Sequence, residues 1–219
     1  RQVLGRDAAA ARRVFCDRHG LRGDRRILCV GHSGFPEGQH VDLIRGLGAL
    51  APAHREGLQL VVPMTYGCGD DYRRAVATAA GSAGFRATIV REYMTDDEMA
   101  EMRCASDILL YAPTSDAFSA SVSQALAVGT ICVVGSWLPY RTRHRAGFRF
   151  WEIDHPSEAG VVLAPLLDRW QESLSECAVN RGLSVDFFDP ERLGRGWLDA
   201  YEAAIDRFAT VGADAGANA

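Results

Sequence analysis

Short, mostly apolar runs recur along this chain, and segments with helical spacing separate them. Five such runs are "RRILCVG" (25–31), "LQLVVPM" (58–64), "RATIVREY" (86–93), "DILLYAP" (107–113) and "TICVVGS" (130–136). Each is shorter than an ordinary helix, and continuous apolar runs of this length are typical of strands that are buried on both faces. The pattern predicts an α/β fold with a Rossmann-like, doubly wound parallel sheet, in which the alternating run "FRFWEID" (148–154) is a sixth candidate strand.

The segments between these runs carry helix signals. Helices are predicted at 7–19, 38–50, 70–84, 95–106 and 115–130, and two C-terminal helices at about 157–182 and 190–208. Thr95, followed three residues later by Glu98, is the pattern of a capping box. The small and polar residues at 209–219 predict a disordered tail, so that 1–208 forms one domain.

The composition excludes several classes of protein. A net charge of −4 argues against a dedicated nucleic-acid binder, which is usually basic. All 24 basic residues are Arg, which is typical of a GC-rich bacterial genome and excludes chemistry that needs a lysine. The sequence has no signal peptide and no apolar run near the roughly 18 residues of a membrane span, so we expect a cytoplasmic protein without a transmembrane segment. It begins with Arg1 rather than Met, which suggests a piece of a longer protein.

The sequence predicts neither a metal site nor disulfides. Its six cysteines include no CxxC pair, and Cys29 and Cys132 lie inside predicted strands, which favours buried, reduced thiols. Asp70 and Asp71 and the scattered histidines have no metal-ligand spacing, and there is no D-x-D motif.

In a doubly wound sheet, ligands bind outside the carboxyl ends of the strands. The first loop there, "GHSGFPEGQ" (31–39), is glycine-rich and leads into a helix; Gly31, His32, Ser33 and Gly34 are candidate ligand contacts. A tight strand-to-helix turn explains the glycines equally well. The loop matches neither GxGxxG nor the lysine-containing P-loop, and "GHSG" is short of a GxSxG nucleophile elbow.

The segment "SDAFSASVSQALAVGT" (115–130) predicts a helix that packs on the sheet and ends at a glycine. Phe118, Ser119 and Ala120 lie at its start, where backbone amides without helical partners would hold a diphosphate. Asp116 and Gln124 are separated by seven residues, a spacing that would let them meet the sugar and the ribose of a nucleotide sugar. The alternatives are an N-cap role for Asp116 and a solvated helix position for Gln124.

This segment resembles the donor-binding element of GT-B glycosyltransferases of the large retaining family. There the pattern is Glu, seven residues, Glu, with a small residue after an aromatic one; matching positions here are Phe118, Ser119, Ala125, Ala127 and Gly129. The first part of the chain is also similar to bacterial N-acetylfucosaminyl transferases, which build enterobacterial surface antigen from a thymidine-diphosphate sugar. Together the resemblance covers nearly all of 12–208.

The resemblance implies that the chain is the C-terminal, donor-binding half of a bacterial GT-B glycosyltransferase in polysaccharide biosynthesis. Such an enzyme transfers a sugar from a nucleoside-diphosphate sugar to a glycan or lipid-linked acceptor, without a metal or another cofactor. The implied partner is the N-terminal acceptor-binding domain of the same full-length protein, which would act in the cytoplasm or at the inner face of the membrane. The fragment alone is expected to bind nucleotide and to be inactive in transfer, and the resemblance assigns no catalytic residue.

The chain also departs from the family pattern. Asp116 and Gln124 replace the two glutamates, and Gln lacks the charge that strengthens a carboxylate hydrogen bond. The family's Arg and Lys are absent from the first loop, so the positive charge would come from Arg141 or its neighbours in the run 141–145, which is equally consistent with a solvated loop. Tyr93 would either stack on the base of the nucleotide or pack against other residues of the protein.

Two other functions remain compatible with these departures. The chain could be a degenerate, non-catalytic nucleotide-sugar-binding or scaffold domain, because both residues of the glutamate pair are replaced. A weaker alternative is another nucleotide-binding protein of the same fold, such as a sugar-nucleotide epimerase.

Overall fold

The computed structural model describes residues 3, 5–117, 119–187 and 189–216. The chain divides into two compact units, Arg1–Leu183 and Ser184–Ala219. The first contains the whole sheet, and the second is helical in its described part.

The described residues form a six-stranded parallel sheet in the order β3-β2-β1-β4-β5-β6. The strands are β1 (Arg26–Val30), β2 (Leu58–Pro63), β3 (Ala87–Val90), β4 (Ile108–Tyr111), β5 (Ile131–Gly135) and β6 (Trp151–Ile153). The first five lie within the predicted apolar runs and β6 within the alternating run 148–154, and the predicted Rossmann-like, doubly wound fold class is confirmed. Strand order reverses between β1 and β4, which are neighbours at the centre of the sheet.

Ten helices accompany the strands in the described ranges. They are α1 (Ala8–His19), α2 (His40–Gly46), α3 (Pro52–Glu56), α4 (Asp70–Ser82), α5 (Asp96–Ala105), α6 (Ala120–Val128), α7 (Arg141–Arg145), α8 (Ala159–Asp168), α9 (Trp170–Phe187) and α10 (Pro190–Gly216). The capping box at the start of α5 is present: the Thr95 hydroxyl accepts from the Glu98 amide, and the Glu98 carboxylate accepts from the Thr95 amide.

Several predicted helices have different bounds in the structure. The helix predicted at 38–50 is shorter in the structure. Gln39 adopts a left-handed conformation (φ 55°) between the 3-10 turn Pro36–Gly38 and α2, and a second 3-10 turn, Leu47–Ala49, follows α2. The helix predicted at 157–182 is divided at Arg169, whose ψ of 41° is not helical. The basic run 141–145, interpreted as a loop, is the short helix α7.

The last helix is longer than the sequence indicates. It was predicted to end at about 208, with a disordered tail at 209–219, but α10 continues to Gly216; 217–219 lie outside the described residues. Within its own unit, α10 carries a series of exposed apolar side chains: Leu193, Trp197, Leu198, Tyr201 and Ile205.

The sheet is covered on both faces. Alternate side chains of the central strands, such as Leu28, Leu60 and Leu110, are fully buried in the core that α2, α4 and α8 complete. Helices α1, α5 and α6 form a second packed group, in which α5 contacts both of its neighbours. Burial of both strand faces is the physical reason that the strand runs are continuously apolar.

The six cysteines are free thiols, and four of them are buried. In the helices that the structure describes, none is long and apolar enough to span a membrane.

Close packing between α2 and α8 requires glycine. A Cβ on Gly160 would lie 2.6 Å from the Gly46 carbonyl oxygen and 3.1 Å from the Cβ of Ala49. By contrast, a Cβ on Gly81, in the exposed part of α4, would meet no atom within 4 Å.

We therefore expect opposite effects from the same substitution at these two positions. Gly160→Ala should lower the free energy of unfolding by about 1–3 kcal/mol because backbone atoms have to move. Gly81→Ala should raise it by about 0.5–1 kcal/mol because alanine is the better helix former. Urea unfolding followed by circular dichroism measures both, and a change of the same sign in the two variants would contradict the packing described.

Candidate functional site

The candidate site lies where the strand order reverses. The loops after β1 and β4 leave the sheet in different directions there, and a crevice opens between them. Two hydrogen bonds tie the loops together below it: Gln39 Nε2 donates to the Ala112 carbonyl (2.7 Å), and the Thr114 amide donates to the Glu37 carbonyl (2.8 Å). The crevice therefore has fixed walls.

A cavity of about 440 Å³ fills this crevice. Its lining comes from the two loops and the end of β4: Gly31, His32, Ser33, Phe35, Glu37, Gly38, His40, Tyr111, Pro113, Ser115 and Asp116. A second cavity of about 470 Å³ lies at the amino ends of β1, β2 and β3, where arginines line it. Because ligands of parallel α/β sheets bind at the carboxyl ends, we place the candidate site in the first cavity.

A buried histidine leaves no space for a side chain at two glycine positions of the first loop. A Cβ on Gly31 would lie 2.4 Å from Nε2 of His40, and a Cβ on Gly38 would lie 2.4 Å from its Cε1. Gly31 also has a positive φ of 73°. The ring of His40 thus fills the space beneath the loop, and the loop passes closely over it.

Gly34, the other glycine among the predicted ligand contacts of this loop, faces a different neighbour. A Cβ there would lie 2.4 Å from the Cys68 sulfur, and the Gly34 amide donates to the Tyr66 carbonyl (2.7 Å). Gly34 therefore packs against the loop after β2 and does not line the cavity, whereas Gly31, His32 and Ser33 do.

The two histidines of the cavity are neutral near pH 7. Burial lowers the pKa of His32, the positive charge of Arg103 lowers it further, and Asp116 opposes the shift. Burial, together with His32, lowers the pKa of His40 to about 4. Both rings offer hydrogen-bonding nitrogen atoms but no counter-charge for an anion.

The start of α6 is capped mainly by its own residues. The Ser119 hydroxyl accepts from the amides of Ser121 (3.2 Å) and Val122 (3.5 Å). Asp116 Oδ2 accepts from the Ser119 amide (3.1 Å) and, in a short hydrogen bond, from the Tyr140 hydroxyl.

Fewer backbone amides are therefore available at the start of α6 than the sequence predicts. The Ser119 amide, predicted to point outward, is occupied by Asp116, because a short carboxylate placed just before a helix readily accepts from its first amides. The Ala120 amide has no acceptor among the described residues and remains the available donor.

The other predicted contacts lie away from the cavity lining. Tyr93 is 82% exposed in the loop after β3, the edge strand two positions away from β1. Gln124 is half-buried on α6, and Arg141 is exposed at the start of α7. Phe118 lies outside the described residues.

The burial of two arginines near α6 is not predicted by the sequence analysis. Arg103, on α5, is 1% exposed and donates through Nη2 to the Ser121 hydroxyl (2.7 Å). Arg143, on α7, is fully buried, donates to the Ser123 hydroxyl (2.6 Å) and lies over the ring of Tyr140. A sequence signal existed for Arg103, since it lies three residues after the buried Ala100, on the packed face of its helix.

In the part of the chain that the structure describes, no group of three His, Cys, Asp or Glu side chains is placed to hold a metal ion.

Comparison with known proteins gives similarity in structure only. No protein-family profile matches the sequence, and no curated protein is significantly similar to it. Many solved structures do match. A glycosyltransferase from Rickettsia africae has a TM-score of 0.75 and 10% identity over 92% of this chain and 53% of its own.

Two further matches are also glycosyltransferases or bind a nucleotide sugar. Anabaena Alr3699/HepE, solved in complex with UDP-glucose, has a TM-score of 0.72 and 12% identity over 89% of this chain and 53% of its own. WaaG, a glycosyltransferase involved in lipopolysaccharide biosynthesis, has a TM-score of 0.67 and 17% identity over 82% of this chain and 47% of its own. The chain thus has the fold of about half of each of these proteins.

The buried His40 predicts an acid-sensitive fold. In the unfolded chain its imidazole takes up a proton near pH 6.5, but in the folded protein only near pH 4. Between these values the unfolded state binds more protons, so the free energy of unfolding should fall by up to roughly 3 kcal/mol as the pH decreases from 6.5 to 4.

Urea unfolding at a series of pH values tests this expectation. His40→Gln should remove a large part of the pH dependence seen in the wild type. An equally steep loss of stability in His40→Gln would contradict the assignment.

Proposed function

We propose that this chain is the donor-binding domain of a bacterial GT-B glycosyltransferase, which takes a sugar from a nucleoside-diphosphate sugar. One observation supports this above the others: the cavity where the strand order reverses lies beside the start of α6, in a fold that matches about half of several glycosyltransferases. The acceptor in this proposal is a glycan or a lipid-linked saccharide, handled by an N-terminal domain of the same protein in the cytoplasm.

Polar groups in the cavity, and others on α6 outside its lining, suit the parts of a nucleotide sugar. Asp116 and Glu37 have carboxylate oxygens that accept from sugar hydroxyls. The Ala120 amide, at the positive end of the α6 dipole, suits a phosphate oxygen. Gln124, one turn into α6, is the candidate for the ribose.

The proposed mechanism does not use a metal. Negative charge develops on the leaving diphosphate during glycosyl transfer, and fixed donors and positive charges stabilise it. Among the described residues, the start of α6 and the adjacent Arg103 and Arg143 can do so. In this proposal the acceptor domain completes the reaction site, so the chain alone binds nucleotide without transferring sugar.

Calorimetry with UDP, TDP and GDP tests the proposal, and we expect at least one of them to bind. Asp116→Asn keeps an oxygen that can accept from the Ser119 amide and the Tyr140 hydroxyl but removes the charge, so it separates ligand contact from loop support. We expect Asp116→Asn and Gln124→Ala each to weaken nucleotide-sugar binding by about 10-fold, because each removes one hydrogen bond to the ligand.

Matched controls are Asp17→Asn on α1 and Gln171→Ala on α9, both at exposed positions. These should bind like the wild type. If no nucleotide binds, the degenerate scaffold domain becomes the better explanation of the replaced glutamate pair. Sugar transfer by the isolated chain would contradict the proposed need for an acceptor domain.

A further inference from the structure

The guanidinium of Arg103 is a charge buried without a counter-charge. The residue is 1% exposed, and in the described part of the chain no carboxylate lies within 4 Å of its nitrogen atoms. Its acceptors are neutral: the Ser121 hydroxyl at 2.7 Å and, at 3.8 Å, the Cys29 sulfur. Nε makes no hydrogen bond among these residues. Buried charges are ordinarily paired, so an arginine in this state indicates that an anion comes close to it.

Arg103 is connected to the candidate site through the first turn of α6. Ser121, which it contacts, is in the first turn of α6, next to the available Ala120 amide. Its positive charge lowers the pKa of His32 and opposes the burial-driven rise in the pKa of Tyr111, and both of these side chains line the cavity. Arg103 therefore acts on the cavity from beneath α6.

We propose that Arg103 is a positioning residue for the diphosphate of the bound nucleotide: held against Ser121, its buried charge makes the N-terminus of α6 a stronger anion site. The inference rests on the proposed function. Arg103 does not line the cavity, so it acts through α6 and through its electric field.

Arginine suits this role better than lysine would. A guanidinium keeps its charge when buried, whereas a buried lysine readily loses its proton. The chain contains no lysine, and its first loop lacks a cationic side chain at His32 and Ser33. Arg103 supplies the missing charge from inside the protein, where salt screens it little.

The test compares Arg103→Met with Arg13→Met, the same change at an exposed position of α1. Calorimetry with UDP, UMP and inorganic pyrophosphate measures binding, and thermal unfolding without nucleotide measures stability. We expect Arg103→Met to weaken UDP binding by about 10-fold or more and UMP binding less, because the attraction scales with ligand charge. The loss should persist at 0.5 M KCl, about the same as at low salt.

The melting temperature of Arg103→Met should not decrease along with its affinity for UDP. Replacing an uncompensated buried charge with an apolar side chain of similar length is expected to leave the melting temperature unchanged or to raise it. Arg103→Lys, which keeps a charge, should retain more UDP affinity than Arg103→Met. Arg13→Met should match the wild type in every measurement.

Each other outcome has a defined meaning. If the wild type binds UDP and Arg103→Met binds UDP equally well, or loses UDP and UMP affinity equally, the inference is wrong and the proposed function stands. If the wild type binds pyrophosphate through Arg103 but no nucleotide, Arg103 supports an anion site at α6, while its role toward a nucleotide and the proposed function are both wrong. If the wild type binds neither pyrophosphate nor any of UDP, TDP and GDP, both are wrong. If Arg103→Met does not fold, Arg103→Gln replaces it, and failure of both to fold would show that the charge serves the fold, which overturns the inference.

Discussion

The pairing of β1 with β4 is the constraint on which the rest of the structure depends. β1 has β2 on one side and β4 on the other, with Cys29 opposite both Val61 and Leu109. Asp107 fixes this pairing at the amino end of the sheet, because its carboxylate accepts from the Ile27 amide (2.7 Å) and from Arg12 (2.8 Å). At the carboxyl end the chain leaves β1 and β4 toward opposite faces, so the two loops separate and a crevice forms between them.

The electrostatic character of the crevice depends on its two histidines and on two buried arginines near α6. The two histidines there are neutral because burial disfavours their charged forms. Positive charge is supplied from below, by Arg103 and Arg143, which hydrogen-bond to alternate serines of α6. Ser119 caps this helix, while Ser121 and Ser123 hold the two cations close to its positive end.

The sheet could be predicted from the sequence, but much of the site could not. The difference has physical reasons. A strand buried on both faces has a continuous apolar run, so the strands could be located, and Gly129 ends α6 as its sequence position indicates. The left-handed Gln39 could not be predicted, because residues other than glycine rarely adopt a positive φ and its bond to the Ala112 carbonyl joins distant parts of the sequence. The glycine-rich loop had two explanations, and the contact of Gly31 with His40 shows that the turn needs its glycines whether or not a ligand binds.

The aspartate at position 116 has a structural explanation in the packing at the start of α6. The carboxylate must reach the Ser119 amide and the Tyr140 hydroxyl, both of which use Oδ2. A short side chain suits this arrangement, because an aspartate just before a helix is a preferred N-terminal acceptor. A carboxylate has about four lone-pair sites, so these two bonds leave room for a sugar hydroxyl at Oδ1. The cap role and the ligand role, which the sequence presents as alternatives, are therefore compatible in one side chain.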